Sequence, residues 1–398
     1  MATSFKAILN EDIQNARTKL HENIPLSGAI VSGTYSDLNV KNYAHGMFQS
    51  TYDYPYLSSS ANHILDITLG YASSSTFSGS DRTQNTQKIQ IYNQMAQVLV
   101  GHDATGSIRT FDEDGNLSSG AKMRECYFIN LARILTKDEI QKGSFSLTLG
   151  VNPTGSTGDR IDRTLIITDH SGTNGFKTNS PAGEYGILFV TGAMASGFVD
   201  TTLATDWGTG TAMAGGIPCG LLYYQAGIVV LTSSLFKSAA SGGLINNAVV
   251  GGEGTVYSSN SKNAGKIILN SGSNYGMQDI LFSSSISGAA DGLRNRIQNM
   301  SFNNTTELNS TIYFCRANAN DFNYSSNPTY VSASKMRVKD VRSDQPVSYI
   351  TTVGLYSPDN ELLAVAKLSE PLKKTRVYPK SKVGLLTVLY DGLSSRIP

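Results

Sequence analysis

Charge is scarce in this sequence. Only 16% of the residues are Asp, Glu, Lys or Arg, against about 25% in an average soluble protein, and the formal net charge is +1. A protein that tracks nucleic acid needs a basic excess to neutralise phosphates, so no specific nucleic-acid partner is expected. The nearest thing to a basic run is Lys373, Lys374, Arg376 and Lys380, in a segment that also holds Pro371 and Pro379, and it reads as a solvated loop, with contact to an anionic partner as the alternative. Cysteine is also rare. Cys126, Cys219 and Cys315 stand far apart, with no CxxC pair or Cys/His cluster. That excludes a zinc-site spacing and a disulfide framework, and fits folding in a reducing cytoplasm. No apolar run reaches the ~18 residues of a membrane span. The N-terminus has no charged segment followed by an apolar stretch, so neither a signal peptide nor a membrane partner is expected.

Catalytic signatures are missing too. His21, His45, His63, His102 and His170 contain no pair four residues apart and no HExxH. His102-Asp103 has no GxSxG elbow to serve, and Gly208 to Gly216 lacks the Lys-Ser/Thr ending of a phosphate loop. Asp112-Glu-Asp-Gly-Asn116 is the best metal candidate, but the closing Glu of an EF-hand loop would fall on Met123. It reads as a hairpin turn, with a different calcium site as the alternative. A glycosidase needs two carboxylates at a set separation, for which Asp159, Asp162, Asp169, Glu184 and Asp206 are available. Availability without known pairing is a weak signal. The expectation is a protein with no enzymatic activity, no cofactor and no metal.

What is abundant is Gly, Ser, Asn, Thr and Tyr, with 38 glycines, 20 tyrosines and 40% hydrophobic residues. Leu9, Ile13, Ala16 and Leu20 recur at helical spacing and Pro25 stops the run, so residues 9–21 read as a helix. Ala29 to Val31 reads as a short strand. Further helices are expected over 87–100, 121–135 and 137–142, the last ending at Gly143. The period then changes to two: strands are expected over 145–151, 164–168, 186–191 and 221–231, separated by Gly-rich connections. A short helix over 292–299 leads to strands over 311–315, 335–341, 349–356, 362–368 and 385–389. Ser357-Pro-Asp-Asn360 between two of them has the composition of a hairpin turn. The reading is an α+β, β-rich chain in three parts: an N-terminal domain of helices with a sheet (1–142), a β-rich middle (143–298) and a C-terminal β-sandwich (299–398).

Several phrases carry a resemblance. They are Ile312-Tyr-Phe-Cys-Arg-Ala-Asn, Phe322-Asn-Tyr-Ser-Ser-Asn-Pro-Thr, Tyr349-Ile-Thr-Thr-Val-Gly-Leu-Tyr356 and Leu362-Leu-Ala-Val-Ala-Lys-Leu-Ser-Glu-Pro371. Near the N-terminus, His45-Gly-Met-Phe-Gln-Ser and Tyr52-Asp-Tyr-Pro-Tyr-Leu-Ser-Ser-Ser-Ala-Asn-His63 join them. This pattern resembles structural proteins of marine tailed bacteriophages, especially those of cyanobacteria. Lys382 to Pro398 departs from it, ending in Asp391-Gly-Leu-Ser-Ser-Arg-Ile-Pro398. The resemblance implies a non-enzymatic virion component of the tail, baseplate or neck, assembled in the host cytoplasm. The alternatives are a receptor-binding or adhesion module and a capsid decoration protein. Other virion proteins and further copies of the chain are the expected partners. Leu9, Ile13 and Leu20, with Tyr52, Tyr54 and Tyr56, are the expected interface residues, because a terminal element and exposed aromatics suit anchoring.

Overall fold

The computed structural model describes residues 6–32, 38–79, 82–117, 120, 122–150, 164–169, 175–191, 217–236, 282, 284–317, 331–332, 335–336, 347–375 and 382–390. The first strands are β1 (Ile13–Ser27), β2 (Val40–Asn42), β3 (Gln49–Tyr52), β4 (His63–Tyr71), β5 (Phe111–Asp112), β6 (Lys122–Met123) and β7 (Glu125–Leu131). Then come β8 (Glu139–Ile140), β9 (Ser146–Gly150), β10 (Thr164–Thr168), β11 (Tyr185–Thr191), β12 (Ile217–Tyr223) and β13 (Ile228–Thr232). The last are β14 (Ile297–Arg316), β15 (Val331–Ser332), β16 (Lys335–Met336), β17 (Val347–Tyr356), β18 (Leu362–Thr375) and β19 (Lys382–Tyr390). Helices among the described residues are α1 (Gly28–Ser32), α2 (Asn85–Leu99), α3 (Arg133–Thr136) and α4 (Ile286–Arg294). The chain forms two compact units, His21–Thr306 and a smaller one of Met1–Leu20 with Glu307–Pro398. Residue 142 thus lies inside the larger unit, while residue 298 lies close to one of the breaks.

The chain is β-rich and antiparallel, so the expected α+β fold with N-terminal helices is overturned. In the larger unit the strand order is β14-β9-β10-β11-β12-β13-β7-β4-β3-β2, with antiparallel neighbours throughout. Within it β7 is hydrogen-bonded to β13 and β4 and covered on both faces. Cys126, Tyr127, Phe128 and Ile129 are all buried. A strand covered on both faces needs apolar residues at successive positions. Its apolar run cannot be told from a buried helix by period alone, and that is why 121–135 reads as a helix. The helix expected over 137–142 is instead a turn leading to β8, and Ala29 to Val31 is helical in α1.

Residues 9–21 are the plainest correction. Asn10–Asp12 form a single 3-10 turn and the rest is β1. The helical spacing of Leu9, Ile13 and Leu20 reflects no buried face, because all three are exposed. Nothing in an uncovered strand imposes a period of two, so chance spacing resembles a helix. Lys373 and Lys374 belong to β18 rather than to a loop. The strand expected over 221–231 is a hairpin, β12 and β13 turning through Tyr224–Gly227.

Other readings hold. The helix at 87–100 is α2, which buries Ile91, Tyr92, Ala96 and Leu99. Ser357 to Asn360 is a turn, with Asn360 at φ 63° and its N–H donating to Ser357 O at 3.0 Å.

Helix α2 lies directly on β4 at Gly70. A Cβ there would sit 2.6 Å from Lys88 O and 2.7 Å from Tyr92 N, so only glycine permits this approach. The helix also anchors α4. Gln84 Oε1 accepts from Ile286 N at 2.8 Å. The fully buried Lys88 donates from Nζ to Phe282 O and Ser284 O, each at 2.7 Å. Burial, with the nearby Arg82 charge, pushes the Lys88 amine down to about 8. Ser285 Oγ completes the start of α4 by accepting from Gly288 N at 3.2 Å. We expect Lys88→Met to lower unfolding free energy by roughly 2–4 kcal/mol, since two buried carbonyls lose their donor. Urea denaturation of wild type and variant checks this.

Candidate interaction surfaces

The described part of the smaller unit is built from strands without a core of their own. No described residue of this unit belongs to the hydrophobic cluster that fills the larger one. Here β14 continues as Glu307 to Arg316 and pairs with β19 from Asn309↔Tyr390 to Arg316↔Lys382. The chain's end therefore adds to β14 and does not close a sandwich. Ion pairs tie β1 and the turn before it to β14: Arg17 and Lys19 reach Glu307 at 3.5 and 3.1 Å, and Arg316 reaches Asp12 at 2.7 Å.

The ribbon β17–β18 stands as a two-stranded sheet, as does β15–β16. Paired rows such as Gly354↔Val365 and Leu355↔Ala364 alternate between its faces. Apolar side chains occur on both. Tyr349, Leu363 and Val365 are more than 60% exposed, and Val353, Leu355, Ala364 and Ala366 are half-buried.

The larger unit carries a different surface. Registers Lys41↔Ser50, Ser50↔Asp66 and Tyr52↔His63 place these side chains on one face at the β2 end of the sheet. Alternation puts Gly70 on the same face as Asp66, so this is the face that α2 covers further along β4. Asp66 Oδ1 receives Ser50 Oγ at 2.5 Å and His63 Nε2 at 2.8 Å. The hydrogen bond to Asp66 raises the His63 pKa, against the cost of burial. The Tyr43 hydroxyl lies 3.2 Å from Ser50 Oγ.

Rings rim this network. Tyr43 stacks on His45 with centroids 5.2 Å apart and meets Phe48 at 4.7 Å, and Lys41 Nζ sits 4.8 Å above Tyr43. Tyr52 meets His63 edge-on at 5.5 Å and Tyr56 at 6.3 Å. Tyr54 and Tyr56 are exposed.

The six expected interface residues thus lie on two surfaces. Leu9, Ile13 and Leu20 are exposed in the smaller unit, and Tyr52, Tyr54 and Tyr56 are in this patch of the larger one. Sequence reasoning missed Tyr43, Ser50, His63 and Asp66, which only the register of β2, β3 and β4 brings together.

Asp112 to Asn116 turns between β5 and β6, and Asp112 is ion-paired with Lys122. Among the described residues no group of three or more His, Cys, Asp or Glu side chains is placed to hold a metal. Of the five carboxylates considered for glycoside hydrolysis, Asp159, Asp162 and Asp206 lie outside the described residues. Asp169 is buried and accepts from Tyr224 OH and Gly143 N, each at 2.8 Å, and Glu184 is ion-paired with Lys142. His170 and Gly208 to Gly216 also lie outside the described residues. No helix among the described residues is long and apolar enough to cross a membrane, which says nothing of a β-barrel.

Glu113 is a buried acid at a cost. It is 8% exposed, and its Oε2 meets no hydrogen-bond partner among the described residues. Burial, then the charges of Asp112 and Asp114, push its carboxyl up to about 8. The folded state therefore holds a proton that the unfolded state releases above about 4.5, and stability falls as pH rises from there to about 8. At pH 7 the cost is roughly 3 kcal/mol. Glu113→Gln is expected to recover much of it and to flatten the decline over that window. Thermal unfolding of both proteins across a pH series checks this.

Comparison with known proteins finds no family model, no curated protein and no solved structure that matches the chain.

Proposed function

We propose that this chain is a non-enzymatic structural component of a tailed-phage virion, acting by protein–protein assembly in the tail, baseplate or neck. The observation that carries the assembly reading is the β17–β18 ribbon with apolar side chains on both faces and, among the described residues, no core of its own. A two-stranded ribbon is marginal in water unless something covers it. Exposed apolar surface of this kind marks an interaction site. Neighbouring subunits, further copies of the chain included, provide that cover. The virion setting rests on the resemblance of residues 312–318, 322–329, 349–356 and 362–371 to marine phage structural proteins. Leu9, Ile13 and Leu20, exposed on and beside β1, are offered as a second contact.

Two measurements test the reading. Antibody labelling of purified particles, viewed by electron microscopy, should mark the tail or neck; absence of the protein from virions would sink the proposal. Val365→Lys, at a 62% exposed position, is expected to change the stability of the isolated chain by no more than about 0.5 kcal/mol. The same substitution should abolish incorporation into particles, and normal incorporation would remove the ribbon from the interface.

A further inference from the structure

We infer that the patch around Asp66 is a binding site for a neutral glycan. A pyranose offers an apolar C–H face and an edge of hydroxyls. It is held by an open aromatic face beside fixed hydrogen-bonding groups. The patch supplies both. Asp66 Oδ1 is held by Ser50 and His63, which fixes the carboxylate plane, while Oδ2 has no partner among the described residues. That oxygen is an acceptor for a sugar hydroxyl, and the Tyr43 hydroxyl beside Ser50 adds a second polar point. Tyr52 and Tyr56 lie alongside, with Tyr56 37% exposed. The apolar area offered by these groups is ring surface, which suits C–H packing.

The site is built before any ligand arrives. Asp53 Oδ1 accepts from Asn62 N at 2.6 Å and Oδ2 from Asn62 Nδ2 at 2.9 Å, closing the loop that carries Tyr54 and Tyr56. Tyr56 N donates to Leu38 O at 3.0 Å, and Asn39 Nδ2 donates to Tyr52 O at 3.0 Å. Rings fixed in this way lose little freedom on binding.

The chemistry of the patch disfavours other ligands. Single-stranded nucleic acid would stack on the rings, but its phosphates would meet Asp53 and Asp66 with Lys41 as the cation of β2. A peptide adding as a strand would find only the three residues of β2 to pair with. The assignment stands independently of the virion reading, since it uses only groups on β2, β3, β4 and the loop between the last two.

Saturation-transfer difference NMR on the full chain tests it. The probes are maltotriose, chitotriose, lactose and the methyl glycosides of glucose, galactose and mannose. At least one should take up saturation. Tyr56→Ala, which removes an exposed ring, and Asp66→Asn, which keeps the shape but not the charge, should each weaken that probe about tenfold or more. Tyr349→Ala, on the other unit, should leave it unchanged. Circular dichroism confirms that each variant is folded. Because Tyr56 is exposed, that variant keeps the test open if Asp66→Asn misfolds. Saturation of no probe overturns the proposal, and so does binding that survives Tyr56→Ala. Loss of particle incorporation in Tyr56→Ala, with no sugar bound by the wild type, would assign the patch to a protein neighbour and overturn it too.

Discussion

The larger unit depends on the close approach of α2 to β4 at Gly70. Because no side chain intervenes, the helix backbone itself lies on the sheet, with Tyr92 turned in to meet Phe111 edge-on at 5.4 Å. Two consequences follow from that contact. The first turns of the helix bring Gln84 and Lys88 to the start of α4, so one helix fixes another through a side-chain amide and a buried amine. The helix also covers the sheet only in part. Along the same face of β4, Gly70 is roofed, but Asp66 and His63 are not. The uncovered strip has therefore to satisfy its own polar groups, and the network of Ser50, Asp66 and His63 does so.

The helix over 87–100 was legible because its apolar positions recur on one side of a segment that packs on one side. The Ser357 to Asn360 turn was legible because Pro and Asn state their backbone angles directly. β7 was not, because Cys126 to Ile129 are buried on both faces and show no alternation. β1 was not for the opposite reason: it buries so little that no face selects its residues. The expected sandwich failed at another level. The strands around 311–315, 349–356, 362–368 and 385–389 exist, and of 335–341 only Lys335–Met336 is described, but β19 pairs with β14 while β17 and β18 pair with each other. Pairing is a long-range choice that strand composition does not encode. The Asp66 patch shows the same limit. The Tyr52 to Tyr56 cluster stands out in the sequence, whereas its polar half depends on residues 43, 50, 63 and 66 meeting across three strands.

In a chain with so few charges, where they sit is informative. β1 ends the strand order on its side, an edge that could template pairing with another chain. It carries Arg17, Lys19 and Glu22, paired with Glu307 and Lys137. The opposite edge, β2, is three residues long and carries Lys41. Both are guarded in the usual ways, by charge or by brevity. The β17–β18 ribbon is charged along one part only: β18 carries Lys367, Glu370, Lys373 and Lys374, while Val353 to Tyr356 and the facing Leu362 to Ala366 contain no charge. Charge on the sheet edges, and its absence from the hairpin end of the ribbon, supports reading that end as the part that needs cover. On that ground the proposal favours the hairpin end of the ribbon, more than β1 with its exposed Leu20, as the surface that meets neighbours.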